Sequence, residues 1–460
     1  MSHPRRRLGA LVTLALVSTS LVAAGCSAPG SSDNSPATNT GQPKASVATN
    51  PAKGGKVTLN VWDQEVRGGQ NAEMTQLNKE FQEKYPNVTI NRTSKSFSDL
   101  KTTLRLALSG KNPPDVVEAN QGYPDMVTFV KAGQLVPLDK YAKLYGWEQR
   151  YPKTLLDLNR VSDDFQHFGE GKLYGISQMG EYITVYYNKS KLKSLGLTPP
   201  KTWSDFAAQL PKIKAKGQTP IEFGNLDKWP AIHTFGVIQA QTTGKQDVRN
   251  LVFGTGNAKW TDSATVKAAK VLQDWAQKGY FTKGANGLGY DDASKKFADG
   301  TGVYLITGTW QAAVLKKPMG KNLGLMLPPP AQAGGEPTTT GGESLAFAVT
   351  SKSQHPDVAA AYLDFITNAH ADDVMTQTGN LPAVPGKAAD ALPADSPEGQ
   401  MVAGWKDLSK VDGLVPYLDY STPTFYDTIT ASLQSLIGGQ TTPEQFTQTL
   451  QADYQKFHQK

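Results

Sequence analysis

Residues 56–120 read as strand, helix, strand, helix, strand, and that order constrains the fold more than any other feature of the chain. KVTLNVW (56–62) is predicted to be a strand from its β-branched and apolar content. AEMTQLNKEFQEKYP (72–86) sets Met74, Leu77 and Phe81 at helical spacing and is stopped by Pro86. VTINRTS (88–94) alternates as a strand, DLKTTLRLALSGK (99–111) reads as a helix, and DVVEAN (115–120) as a short buried strand. Such alternation builds a mostly parallel sheet with helices on both faces, so the fold class is α/β. Ligands of such sheets sit beyond the carboxyl ends of the strands. The first and third strands run out into Trp62-Asp63-Gln64-Glu65 and Asn120-Gln121-Gly122-Tyr123.

The pattern continues downstream. KLYGISQMGEYITVYYNKSKLKSLGL (172–197) gives a strand, a polar break at 178–181, and a second strand running into a helix. TPPKTWSDFAAQLPKIKAKG (198–217) is a helix with Thr202 or Ser204 as N-cap. IEFGN (221–225) is a strand that ends in Leu226-Asp227-Lys228-Trp229. TGVYLITGTWQAAVLK (301–316) is a strand, a tight glycine turn and a helix starting near Trp310. GGESLAFAVTSKS (341–353) is one further strand, and helical segments cover 355–378, 399–408 and 423–460. The 405 residues beyond Gly55 exceed one core and suit two or three domains.

The amino terminus has a different character. Arg5, Arg6 and Arg7 precede an apolar run from Leu8 to Ala24, and Ala23, Ala24 and Gly25 lead into Cys26, the chain's single cysteine. That is the layout of a secretory leader, 1–25, and both Sec and Tat export fit it. A lone cysteine forms no internal disulfide and no cysteine-based metal framework. Its place after the small residues resembles a bacterial lipobox, with Ala23 where that pattern prefers Leu, so Cys26 is read as the lipidated mature terminus. The competing reading is an ordinary leader with an incidental cysteine. Residues 26–55 hold few large apolar side chains and read as a flexible tether. Removing 1–25 lowers the formal charge from +6 to +3, because three arginines and no acid go with it. A nearly neutral body argues against nucleic-acid binding.

Enzymatic signatures are missing from the sequence. There is no HExxH, the six histidines are scattered, SGKN lacks the flanks of a phosphate-binding loop, GTGNAK lacks the third glycine of a dinucleotide fingerprint, and no G-x-S-x-G occurs. No catalytic residue, metal or cofactor is assigned.

Trp62-Asp63, SGKNPPDVVEAN, AGQLVPLDKY, GKLYGIS with TVYYNKSKLKSLGLTPPKTWSDF, FADGTGVYLITGTW and AYLDFITNAHADDVMTQTGNLPAVPG occur in this order. Together they resemble the extracellular solute-binding proteins of sugar ABC importers, the family that includes maltose-binding protein, from Val57 to about Phe457. The resemblance implies a two-lobe periplasmic-binding-protein type II fold with a ligand cleft between lobes joined by hinge strands. One lobe would comprise 56–178 plus 345–384, the other 179–344 plus 385–460. It implies a monomer on the outer face of the cell membrane that hands its solute to permease subunits.

A sugar offers hydroxyls at its edge and C–H groups on its faces, so a site needs carboxylates or amides for the former and aromatic plates for the latter. Asp63, Glu65, Asn120, Gln121, Glu181 and Glu343, with the Gly342 backbone beside the last, are the expected edge partners. Trp62, Tyr182, Trp229 and Trp310 are the expected plates, Trp310 resembling the family's stacking residue in its Gly-x-Trp turn. The plainer alternatives are a wall position for Trp62 and a lobe-bridging role for Glu181 and Tyr182. The other five tryptophans and the strand residues Tyr186 and Tyr187 read as packing. Two functional readings compete: a secreted glycoside hydrolase or lyase using two of Asp63, Glu181 and Glu343, and a binder of a metal chelate, polyamine or peptide.

Overall fold

The computed structural model describes residues 50–458, so the leader, Cys26 and residues 26–49 of the expected tether lie outside the described residues. The end of that stretch is described: residues 51–53 form a single 3-10 turn, and the Asn87 amide donates to the carbonyls of Pro51 and Gly55 at 2.9 and 3.0 Å.

The first sheet follows from the period-two pattern read in the sequence. β1 (Val57–Asp63) buries Val57, Leu59, Val61 and Asp63 on one side, and α1 (Gly68–Lys84) lays the fully buried Met74, Leu77 and Phe81 on the core. Each such side chain is worth about 1.5–3 kcal/mol on burial. α1 stops before Pro86, whose ring disfavours a helical residue ahead of it. β2 (Val88–Ser94), α2 (Phe97–Ser109) and β3 (Val116–Ala119) complete the run. β1 is central and parallel to both β2 and β3, and the strand 346–349 joins β3 antiparallel, an addition to the parallel arrangement expected.

The second sheet is built around β4 (Gly180–Asn188), buried along its whole length. α3 (Trp203–Ala215) begins on a capping box in which the Thr202 hydroxyl accepts from the Asp205 N–H and the Asp205 carboxylate accepts from the Thr202 N–H. β5 (Ile221–Glu222) is shorter than expected because the Phe223 N–H leaves the ladder for the Thr282 hydroxyl. α4 (Pro230–Thr243), β6 (Tyr304–Gly308), β7 (Leu323–Met326) and β8 (Thr339–Glu343) follow. β4 pairs antiparallel with β6, β7 and β8, β5 pairs parallel with β6, and Leu414–Val415 with β8.

The single strand expected over 341–353 is two strands in two sheets. β8 ends at Glu343 in the second sheet, and β9 (Ala346–Val349) begins after Ser344 and Leu345 in the first. Alternation of side chains is the same on both sides of such a crossing, so the pattern alone does not show the break. Two other segments run beside it: Ser344 N–H donates to Met179 O, Gly180 N–H to Leu381 O and Ala383 N–H to Gln178 O, each at 2.9 Å. These short ladders link the two sheets. α5 (Pro397–Lys410) and α6 (Phe425–Ile437) lie in the carboxyl-terminal part.

Candidate functional site

Between the two sheets lies a narrow cleft walled by residues from both. Asn120 comes from the end of β3, Glu181 from the start of β4, and Glu343 from the end of β8. Trp229 stands immediately before α4, and Trp310 follows β6 in a 3-10 turn.

Trp310 shows why its turn carries glycine. A Cβ on Gly308 would lie 2.0 Å from the indole, so one face of the ring rests on bare backbone. The indole N–H donates to the Tyr290 hydroxyl at 2.5 Å, and that hydroxyl is 2.7 Å from Thr307 Oγ1. The plate is thereby fixed before any ligand arrives. Trp229 is held 4.4 Å from the Tyr290 ring and 5.2 Å from the His233 ring, centroid to centroid.

The lobes touch around this cleft. Phe97 at the start of α2 meets Trp229 edge-on at 5.9 Å and Tyr426 of α6 at 6.4 Å. Arg67 spans to Asp291 with Nε at 3.2 Å and Nη2 at 3.1 Å from Oδ1. The turn after β3 is held close to the opposite lobe because Gly122, at φ +80°, leaves Tyr420 the space a side chain would take.

Three acids stand in the polar wall beside the amides Gln64, Gln70 and Asn120. Burial pushes Glu181 up to about 8 and Asp419 to about 6, and raises Glu343 well above the carboxylate range against the hydrogen bond that the Asn159 amide donates to it. Because the folded state holds the Glu181 proton more tightly than the unfolded chain does, this stability is full below about pH 4.5 and is lost as pH rises through about 8. Glu181→Gln removes the titration, so the variant is expected to melt above the wild type at pH 8, with the gap closing toward pH 5. Thermal melts of the unliganded protein at both pH values check this; a gap that is constant or reversed contradicts it.

Six expected ligand residues lie elsewhere. Tyr182 follows Glu181 on a strand, and successive strand side chains face opposite ways; its hydroxyl donates to Met401 O at 2.9 Å and its ring stacks on Trp405. Gln121 is turned under Asn120 and donates to Ser344 O at 2.8 Å. Asp63 is fully buried on Arg92, at 2.5 and 2.9 Å. Glu65 is buried beside Glu118, and its carboxyl is pushed up to about 7 by burial. Trp62 is half-buried beneath the Lys95 ammonium at 4.8 Å. Gly342 pairs with Glu181 across the strands but lines a groove on the far side with Leu158 and Trp405.

The sequence reading missed Gln64, Arg67, Gln70 and Phe97 on one wall, and His233, Tyr417, Asp419, Tyr420 and Tyr426 on the other. A signal existed for the last four: VPYLDYSTPTFYD (415–427) is crowded with tyrosines in a run without helical period. His233 stands one helical turn beyond Trp229 and shares its face.

The fold and this walled cleft define a two-lobe solute-binding protein. The bacterial extracellular solute-binding protein family matches residues 68–372, and the chain belongs to that family. It is 25% identical over 323 residues to the multiple sugar-binding protein of Streptococcus mutans, covering 70% of this chain and 73% of that one. It is 27% identical over 409 residues to an uncharacterized ABC transporter extracellular-binding protein of Pyrococcus horikoshii, covering 85% and 83%. Among solved structures, a chitin oligosaccharide binding protein superposes with a TM-score of 0.75 at 25% identity, over 88% of this chain and 100% of that one. The family and these neighbours are binding proteins.

Proposed function

We propose that the chain captures a neutral di- or oligosaccharide in this cleft and delivers it, without chemical change, to the permease of an ABC importer. One observation carries the reading. Six aromatic side chains line the cleft, and among them Gln70 Oε1, His233 Nδ1, Glu343 Oε2 and Tyr417 Oη are buried with no protein hydrogen-bond partner. Each such atom costs about 1–3 kcal/mol unless something supplies its partner, and a sugar supplies hydroxyls between flat apolar faces. The relatives named for multiple sugars and chitin oligosaccharides support the same class.

Charge supports a neutral ligand. Glu181, Glu343 and Asp419 face the cleft, whereas the guanidinium of Arg67 is taken up by Asp291. An anionic solute would meet no uncommitted cation among the side chains lining the cleft, and Glu181 and Glu343, whose burial holds their protons, offer a cationic solute little charge. The hydrolase reading needs bond cleavage, so release of reducing sugar on prolonged incubation would support it against ours. Calorimetric titration with maltose, cellobiose, lactose, melibiose and diacetylchitobiose, and with glycerol 3-phosphate as the anionic control, tests the ligand class. One neutral sugar is expected to bind, and binding of the phosphate alone would contradict the proposal.

The lobes take the boundaries given above, and the molecule acts as a monomer. We assign Cys26 as the lipid-bearing residue that holds it at the outer face of the membrane. Cys26→Ser is expected to shift the protein from the membrane fraction to the medium, or to leave an uncut precursor. Wild-type protein found wholly in the medium and cut at another residue would contradict the anchor.

A further inference from the structure

The imidazole of His233 occupies an unusual position in the cleft wall. It projects from the first turns of α4, and three aromatic rings surround it: Trp229 at 5.2 Å, Trp310 at 5.4 Å and Tyr417 at 5.3 Å, centroid to centroid. Neither ring nitrogen has a protein hydrogen bond, and Nδ1 is fully buried. Burial alone pushes the ring down to about 3, with no contribution from the cleft residues Glu181, Glu343, Asp419 or Arg67, so the imidazole is neutral at physiological pH. A neutral imidazole has one N–H to donate and one lone pair to accept with. The wall around it offers C–H edges and π-faces, together with the Trp229 indole N–H and the Tyr417 hydroxyl, the latter buried without a partner.

We propose that His233 is a specificity-determining residue of the cleft, reading one hydroxyl of a neutral sugar from between the plates Trp229 and Trp310. The inference rests on the sugar-binding reading and deepens it. Stacking on an indole tolerates many sugars, because each presents a C–H face. A single polar atom set among the plates does not: a ligand without a hydroxyl there leaves the imidazole desolvated and unpartnered. Sites built to bond a hydroxyl reject analogues lacking it far more strongly than apolar pockets reject a missing methylene. His233 therefore discriminates between sugars that the tryptophans hold alike.

The test uses the mature full-length protein and the neutral sugar from the five above that binds most tightly, together with its single-deoxy analogues. His233→Phe keeps a flat ring among the aromatic neighbours and removes both nitrogens; His233→Gln restores a donor and an acceptor. Calorimetry is expected to show His233→Phe binding the parent sugar 10- to 100-fold more weakly. One deoxy analogue should bind wild type and His233→Phe within about 3-fold of each other, while the remaining analogues keep the parent's gap. His233→Gln should recover at least part of the loss. The ratio of wild-type to His233→Phe affinity should be the same at pH 5.5 and pH 8, since the ring does not titrate between them. The proposal is overturned if His233→Phe binds the parent like wild type, or if the loss is equal on every deoxy analogue, which marks a packing role. It is also overturned if the affinity ratio climbs on acidification. Failure of wild type to bind any of the five sugars removes the sugar reading itself, a result distinct from these.

Discussion

Arg92→Met is expected to lower the stability of the unliganded protein by about 3–5 kcal/mol, the usual cost of breaking a buried pair by deleting one partner. Arg92 sits on β2 and donates to both oxygens of Asp63, at 2.5 Å from Nε and 2.9 Å from Nη2. The same guanidinium donates to Glu65 O at 2.7 Å and to Asn71 Oδ1 at 2.8 Å, tying the end of β1 to the start of α1. Asp63 is fully buried, and the neighbouring Glu65 and Glu118 are buried acids whose carboxyls burial holds above the ordinary range. Removing Arg92 thus strands a carboxylate among acids. Replacing both partners by apolar residues avoids that, so Arg92→Met with Asp63→Leu is expected to recover most of the loss. Urea unfolding of wild type, single and double variants measures it. A single variant within about 1 kcal/mol of wild type would show that the pair is not structural.

The second large effect falls on binding and not on stability. Trp310→Ala is expected to weaken the sugar by roughly 10- to 100-fold. A large aromatic buries about 150–250 Å², and a sugar face covering a third to a half of it removes apolar area worth on the order of 1–3 kcal/mol at about 25 cal/mol per Å². Because the indole is already fixed against Gly308 and bonded to Tyr290, little freedom is lost when the ligand stacks. Melting of the unliganded protein should change little, since the ring borders the cleft and rests on the bare backbone of Gly308 rather than inside a cluster of packed rings. Trp203→Ala is the control: that ring stacks on Phe206 at 5.2 Å and lies 5.7 Å from Trp275, so its loss should lower stability and spare affinity. Normal binding by Trp310→Ala would remove the plate from the account.

Much of the first sheet was legible because its residues obey local rules. Met74, Leu77 and Phe81 share one helical face, and Val88–Ser94 alternates cleanly. α1 nonetheless starts at Gly68, four residues earlier than read, since glycines carry poor helix propensity and packing against Thr378, distant in sequence, decides that turn. α4 was not read at all: it is buried on nearly every side and shows no amphipathic period. Of the residues the sequence offers as ligand partners, Asn120 and Trp310 line the cleft just beyond strand ends, and Trp229 lines it from the start of α4. The strand-end rule also placed Asp63 and Glu65 beside the ligand, and it failed there because Arg92 and Glu118 lie on other strands whose side chains the order of elements does not locate. Tyr182 was misplaced for a simpler reason, since Glu181 and Tyr182 are adjacent on one strand and share no face.

Titration calorimetry of the mature wild-type protein with the five neutral disaccharides tests the central claim most directly. The account predicts one-to-one binding of one of them at micromolar affinity, roughly −8 kcal/mol, with a negative heat-capacity change from burying the aromatic plates and with the sugar recovered intact. Absence of binding to every neutral sugar alongside clear binding of glycerol 3-phosphate, or recovery of cleaved sugar, would contradict it.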